Sequence, residues 1–141
     1  MLASFEDLRF AVLATSDDGR PYASLIAFAF TPDRQTVIFA TSKATRKYRN
    51  MMSQKCVSIL IDNRSGTPED LSHAEAITLV GTAKPVRAGA RKDAYRKVFR
   101  EKHPRFAHFI DDPGPALMAM VIEQAVHVTR FQDVSAWTKG D

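Results

Sequence analysis

Apolar and polar positions alternate most clearly in RPYASLIAFAF, residues 20–30. Tyr22, Ser24, Ile26, Phe28 and Phe30 fall on one face of an extended chain there, and Ala23, Leu25, Ala27 and Ala29 on the other. The preceding FAVLATS is an apolar run of strand length, stopped by Asp17-Asp18-Gly19, a strong hairpin signal. After the turn TPDR, QTVIFAT reads as a third strand. ATRKYRNMMS has helical spacing, with Ala44, Tyr48, Met51 and Met52 on one face and Arg46, Arg49, Asn50 and Ser53 opposite. CVSILID is a fourth strand, NRSGTPEDLSH a polar connection, and AEAITLVGTAKPV a fifth strand in which Gly81 signals a bulge or a close approach. ARKDAYRKVFREKHPRF predicts an amphipathic helix through Tyr95, Val98 and Phe99, ended or bent by Pro104. ALMAMVIEQAVHVTRF suits one bent strand or two consecutive ones, and the tail QDVSAWTKGD is polar apart from Val134 and Trp137.

With a short helix before the first strand, the order is β-β-β-α-β-β-α-β, joined by hairpins and without regular βαβ alternation. That predicts a mainly β fold with inserted helices, an antiparallel sheet closed into a barrel. A chain of 141 residues with 45% apolar content suits one domain, residues 1–141. No apolar run has bilayer length, and MLASFEDLRF carries acids where a signal peptide has a basic start, so a cytoplasmic protein is expected. A single cysteine, Cys56, excludes an internal disulfide, and its place at the head of an apolar run suggests buried packing. The small face of the second strand admits a neighbouring strand, a partner chain or a flat ligand, packing being the commoner reason.

Charge is unevenly spread. From Arg34 to Ile61 there are six cations and no acid, although the net charge is only +4. Lys43, Arg46, Lys47 and Arg49 crowd the start of the first long helix, where the helix dipole disfavours each cation by roughly several tenths of a kcal/mol. A bound anion resolves that conflict, because free backbone N–H groups, the dipole and the cations would all face it, with Ser42 and Thr45 adding hydroxyls. A phosphate suits this better than a carboxylate, having more acceptor oxygens and more charge. A solvated basic face is the alternative; Lys47 weighs against it, since it lies beside the apolar face and its head can reach inward. The second basic stretch, Arg91 to Arg105, has no aromatic residues on its polar face and reads as a solvated helix rather than a nucleic-acid surface. His73, His103, His108 and His127 lack metal-ligand spacing, His127 suiting a satisfied barrel histidine, and Asp17-Asp18 and Asp111-Asp112 read as turn residues.

AVLATSDDGRPYASLIAFAF, TVIFATSKATRKYRN, CVSILID and LVGTAKPV, taken in order, resemble the pyridoxamine 5'-phosphate oxidase-related FMN-binding split barrels from about Phe10 to Phe131. The most specific match is a strand ending in Thr and followed by Arg-Lys, here Thr41 and Arg46-Lys47. The resemblance implies an antiparallel split β-barrel, an FMN cofactor, and a homodimer with flavin near the subunit interface. It implies that Arg46 and Lys47 hold the FMN phosphate with help from Thr41, while the backbone at Ser24, Leu25, Ile26 and Ala27, with Ala40, lines the flavin and ribityl chain. Ser24 stands where the vitamin oxidases carry an Arg, and Glu75 and Ala76 where they carry Arg-Gln. FQDVSAWTKGD has no counterpart of their substrate-gripping Arg and His residues, which counts against oxidation of pyridoxine phosphate. The expected function is thus redox chemistry on a small molecule by a flavin-dependent oxidoreductase with no catalytic side chain named. The alternative is a non-catalytic flavin or haem binder or electron carrier, and a basic nucleic-acid-binding barrel is a third reading. Neither a membrane nor a metal is implied.

Overall fold

The computed structural model describes residues 2–129 and 133–140; Met1, Arg130, Phe131, Gln132 and Asp141 lie outside the described residues, and with them the end of the last predicted strand and part of the tail. A 3-10 turn at Leu2–Phe5 takes the place of the predicted first helix. Then follow β1 (Phe10–Asp17), β2 (Arg20–Ala27), β3 (Ala29–Phe30), β4 (Thr36–Thr41), α1 (Arg46–Ser53), β5 (Cys56–Asp62) and α2 (Asp70–His73). The remainder is β6 (Glu75–Pro85), α3 (Ala90–Lys102), α4 (Ala107–Asp111), β7 (Ala116–Thr129) and β8 (Asp133–Thr138). The strands pair antiparallel in the order β2-β1-β5-β6-β7-β4-β3, with β8 beside β7. The result is a curled antiparallel split β-barrel. No helix among the described residues is long and apolar enough to cross a membrane.

The hairpin lies where Asp17-Asp18-Gly19 predicts it. Asp17 pairs with Arg20 across a two-residue loop in which Asp18 (φ 51°) and Gly19 (φ 76°) are both left-handed, as the twist of a two-residue hairpin requires. The run RPYASLIAFAF, by contrast, is not one strand. It is interrupted at Phe28, leaving β2 at one end of the sheet and β3 at the other, one residue apart in sequence. The period-2 pattern runs through this crossing because Ile26, Phe28 and Phe30 are all buried. Phe28 forms the seam: its N–H donates to Arg9 O at 3.2 Å, and its carbonyl accepts from His103 Nε2 at 2.7 Å. Since a carbonyl only accepts, Nε2 carries the ring hydrogen. The Lys102 ammonium lies 3.9 Å from the centroid of the Phe28 ring.

Gly81 marks a bulge. The β6–β7 register shifts between Val80 and Gly81, and a Cβ on Gly81 would lie 1.9 Å from the Val121 carbonyl oxygen, so only glycine fits. On β7 the buried series Met118, Met120, Ile122 resumes at Ala125, leaving Glu123 and Gln124 both outward. The predicted last apolar run is a single strand whose edge partner changes at the bulge. Ala116–Val121 pair with β4, and Gln124–Thr129 pair with β8. The tail is therefore anchored by a strand ladder, in which Trp137 stands opposite Ala125 and remains 42% exposed.

The main core fills the barrel with Leu13, Phe28, Phe39, Ile59, Ile61, Ile77, Leu79, Met118 and Met120. Burial at about 25 cal/mol per Å² of apolar surface is its principal stabilisation. A smaller cluster outside the barrel packs Phe99 of α3 and Ile110 of α4 on Ile38 and Leu117, with Tyr95 and Val98 at its margin. The amphipathic stripe predicted for α3 is thus the packed face, and Pro104 follows its end at Lys102.

Two further sequence expectations fail. Cys56 is exposed at the strand head and is not buried packing, because the inward set of β5 is Val57, Ile59 and Ile61. On α1 the inward residues are Asn50 and Met51, while Ala44 and Met52 are exposed. Asn50 is tolerated inside because its Nδ2 donates to Thr15 Oγ1 at 3.1 Å, which offsets the cost of burying an amide.

Candidate functional site

Strand β4 delivers the chain from the barrel wall to the start of α1. Thr45 is the N-cap: its backbone is extended, and its Oγ1 accepts from Tyr48 N at 3.3 Å. The same hydroxyl donates to Ser42 O at 2.8 Å and lies 2.9 Å from Thr41 Oγ1. The turn is thus rigid, and the Thr45 hydroxyl serves the fold rather than standing free as a ligand donor. The amides of Arg46 and Lys47, as the first two of the helix, remain without intrahelical acceptors. No acid lies in this first turn, and Lys47 has no acidic partner among the described residues.

Beside this helix start lies an open cavity of about 380 Å³. Leu25, Ile26 and Ala27 of β2 form one wall, Ala40 and Thr41 of β4 another, and Lys47 closes the end at α1. Six of the eight residues singled out from the sequence are therefore brought together. The other two are not in the lining. Arg46 is exposed and holds its guanidinium carbon 4.6 Å from the Tyr22 ring centroid. Ser24, on the Tyr22 and Ile26 face of β2, has a buried Oγ with no hydrogen-bond partner. Glu75, which stands where the vitamin oxidases carry the Arg of their Arg-Gln pair, accepts from His127 Nε2 at 3.2 Å. His127 also meets Phe5 edge-on, so it is held by structural contacts.

Sequence reasoning missed the aromatic side of the cavity. Phe10 projects from β1, Phe99 from α3, and Phe106 and Phe109 from the segment after Pro104. Phe99 was legible only as core, and the spacing of Phe106 and Phe109 on one short helical turn was the available signal. Among the described residues lining the cavity none is His, Cys, Met or Tyr. The surface thus offers flat apolar walls and, at one end, the Lys47 ammonium beside the start of α1, which suits a planar ring system carrying an anionic tail.

Burial pushes the Lys102 ammonium down to about 8, opposed by the nearby Asp7 and Glu6 carboxylates. Burial likewise lowers His103, against its hydrogen bond to Phe28 O. Both belong to the seam, and neither lines the cavity.

A family model described as pyridoxamine 5'-phosphate oxidase matches residues 1–133. No curated protein matches the sequence. A haem-binding protein from Mycobacterium smegmatis superposes with a TM-score of 0.84 at 20% identity, over 97% of this chain and 55% of that one, so the chain spans about half its length. HutZ, the haem storage protein from Vibrio cholerae, gives 0.70 at 21% identity, over 99% and 92% of the two chains. An FAD-binding protein from Mesorhizobium loti gives 0.70 at 14%, over 89% of each. At these identities the structural likeness shows the fold.

Proposed function

The chain belongs to the pyridoxamine 5'-phosphate oxidase family, and on that premise we propose that it is an FMN-binding flavoprotein, an oxidoreductase acting on a small molecule, built as one domain and working in the cytoplasm. The observation that carries this reading is the convergence of Leu25, Ile26, Ala27, Ala40, Thr41 and Lys47 on one cavity at the start of α1. Lys47 would pair with the phosphate, the free amides of Arg46 and Lys47 would donate to it, and Arg46 would add its charge from the same turn. When bound, the flavin supplies the hydride or electron chemistry, while the chain binds its phosphate, orients the ring against β2 and β4, and keeps water from one face.

A homodimer accords with the exposed side chains beside the cavity. Phe10 is 54% and Leu25 64% exposed on adjoining strands, and a second copy laid there would cover both them and the open side of the cavity. Haem is the second reading, favoured by the names of two relatives of like fold. The cavity itself favours flavin, because among the described residues its lining holds none that commonly ligates haem iron, so haem would need an axial ligand from outside that described lining.

Mass spectrometry and absorption spectra of what leaves the purified protein on denaturation test the proposal. Released FMN, with tight rebinding of added FMN, is expected. A haem spectrum, or no FMN binding in titration, would refute it.

A further inference from the structure

A larger cavity lies elsewhere, at the far end of α3. It measures about 850 Å³ and is floored by the outer face of β6 and β7 just past the bulge. Lys84 from the end of β6, Arg87 from the loop, Arg91 from α3 and Lys139 from the tail converge on it. None of the four has an acidic partner among the described residues, whereas Arg34, Arg64 and Arg100 are paired with Glu6, Asp62 and Asp111. The one acid among the described lining residues, Glu123, accepts from the Thr82 hydroxyl at 2.5 Å.

The start of α3 opens into the same space. Its N-cap is Gly89, at φ 143° and with no side-chain cap. Here, unlike at α1, the first amides meet no side-chain acceptor. Tyr95 and Val121 supply apolar surface beside the charges. The volume is far more than one phosphate fills and lies within the range of about 300–1,000 Å³ typical of small-molecule sites.

We propose that this cleft is a second ligand site, separate from the flavin cavity, for a phosphorylated ligand of nucleotide size. Its phosphoryl groups meet Arg87, Arg91, Lys84 and Lys139, and its ring lies on Tyr95 and Val121. The cations come from separate elements around a hollow rather than along a flat stripe, which suits a compact ligand better than a nucleic-acid backbone. The two cavities share no lining residue.

The test is calorimetric titration of the FMN-loaded full chain with ADP, with adenosine and with a single-stranded oligonucleotide. ADP should bind, and adenosine should bind at least about tenfold more weakly, as loss of charge-assisted hydrogen bonds requires. The Arg87→Ala/Arg91→Ala double variant should lose about tenfold or more in ADP affinity. Lys55→Ala, outside both cavities, should match the parent and controls for bulk charge, while the FMN already bound keeps the first cavity occupied. The substituted side chains are exposed, so folding should persist and is checked by circular dichroism. No binding of ADP, equal binding of adenosine, equal loss in Lys55→Ala, or oligonucleotide binding that ADP does not displace would each overturn the proposal.

Discussion

Inside the barrel, Leu13, Ile59, Leu79 and Met118 come from four strands and are wholly sealed. On the outside of the same sheet, β4 presents Thr36, Ile38 and Ala40, of which Ile38 is covered by the α3 cluster while Thr36 and Ala40 border the two cavities. The inner surface needs only apolar alternation to close, and every group there is spent on the fold. The outer surface of β4 is covered over its middle by α3 and α4, and what they leave uncovered at either end is hollow.

The contrast is broken most easily from within. Phe39→Ala should cost about 3–5 kcal/mol in denaturant unfolding, the usual penalty for emptying a sealed aromatic site. Phe99→Ala in the outer cluster should cost less, and an equal loss would erase the distinction between the regions. Next in size, Lys47→Ala should weaken FMN binding by about 1.5–3 kcal/mol in a fluorescence titration, while leaving the unfolding free energy within about 0.5 kcal/mol. A loss of stability as large as the loss of affinity would make Lys47 part of the scaffold. Gly81→Ala forces a carbon against the Val121 carbonyl, and should destabilise by about 1–3 kcal/mol as other overpacking does.

The smallest effect concerns the seam between the regions. His103 is held below its ordinary 6.5 by burial, so the unfolded chain takes up a proton that the folded chain resists. Stability on this account is full above pH 6.5 and falls as pH drops below it. Lys102, lowered from 10.5 to about 8, gives full stability above 10.5, a decline between 10.5 and 8, and no further change below. Urea midpoints measured from pH 5 to 7.5 should rise with pH, and His103→Gln should flatten that rise. An unchanged slope in the variant would remove His103 as its source.

The hairpin at Asp18-Gly19, the bulge at Gly81, the stop at Pro104 and the packed stripe of α3 were legible because each follows from one residue's backbone limits or from local period. The break at Phe28 was not, since inward burial continues across it while the hydrogen-bond partners change. Nor was β8: its residues all stay largely exposed, and it is defined by its pairing with β7. The inward turn of Asn50 depends on Thr15, a partner 35 residues away that no helical period reveals. At the cavity, the β2, β4 and α1 positions were readable from the strand that ends in Thr and the Arg-Lys after it. Phe106 and Phe109 join them only through the chain's path after α3.

The crossing at Phe28 also governs how the molecule meets others of its kind. A strand at the border of a sheet carries unpaired amides and carbonyls that recruit a stranger's backbone. Here two borders, β2 and β3, are leashed to each other by the single residue Phe28, so neither can drift far from the other while that link is intact. Severing the chain at this point would release both from that leash at once.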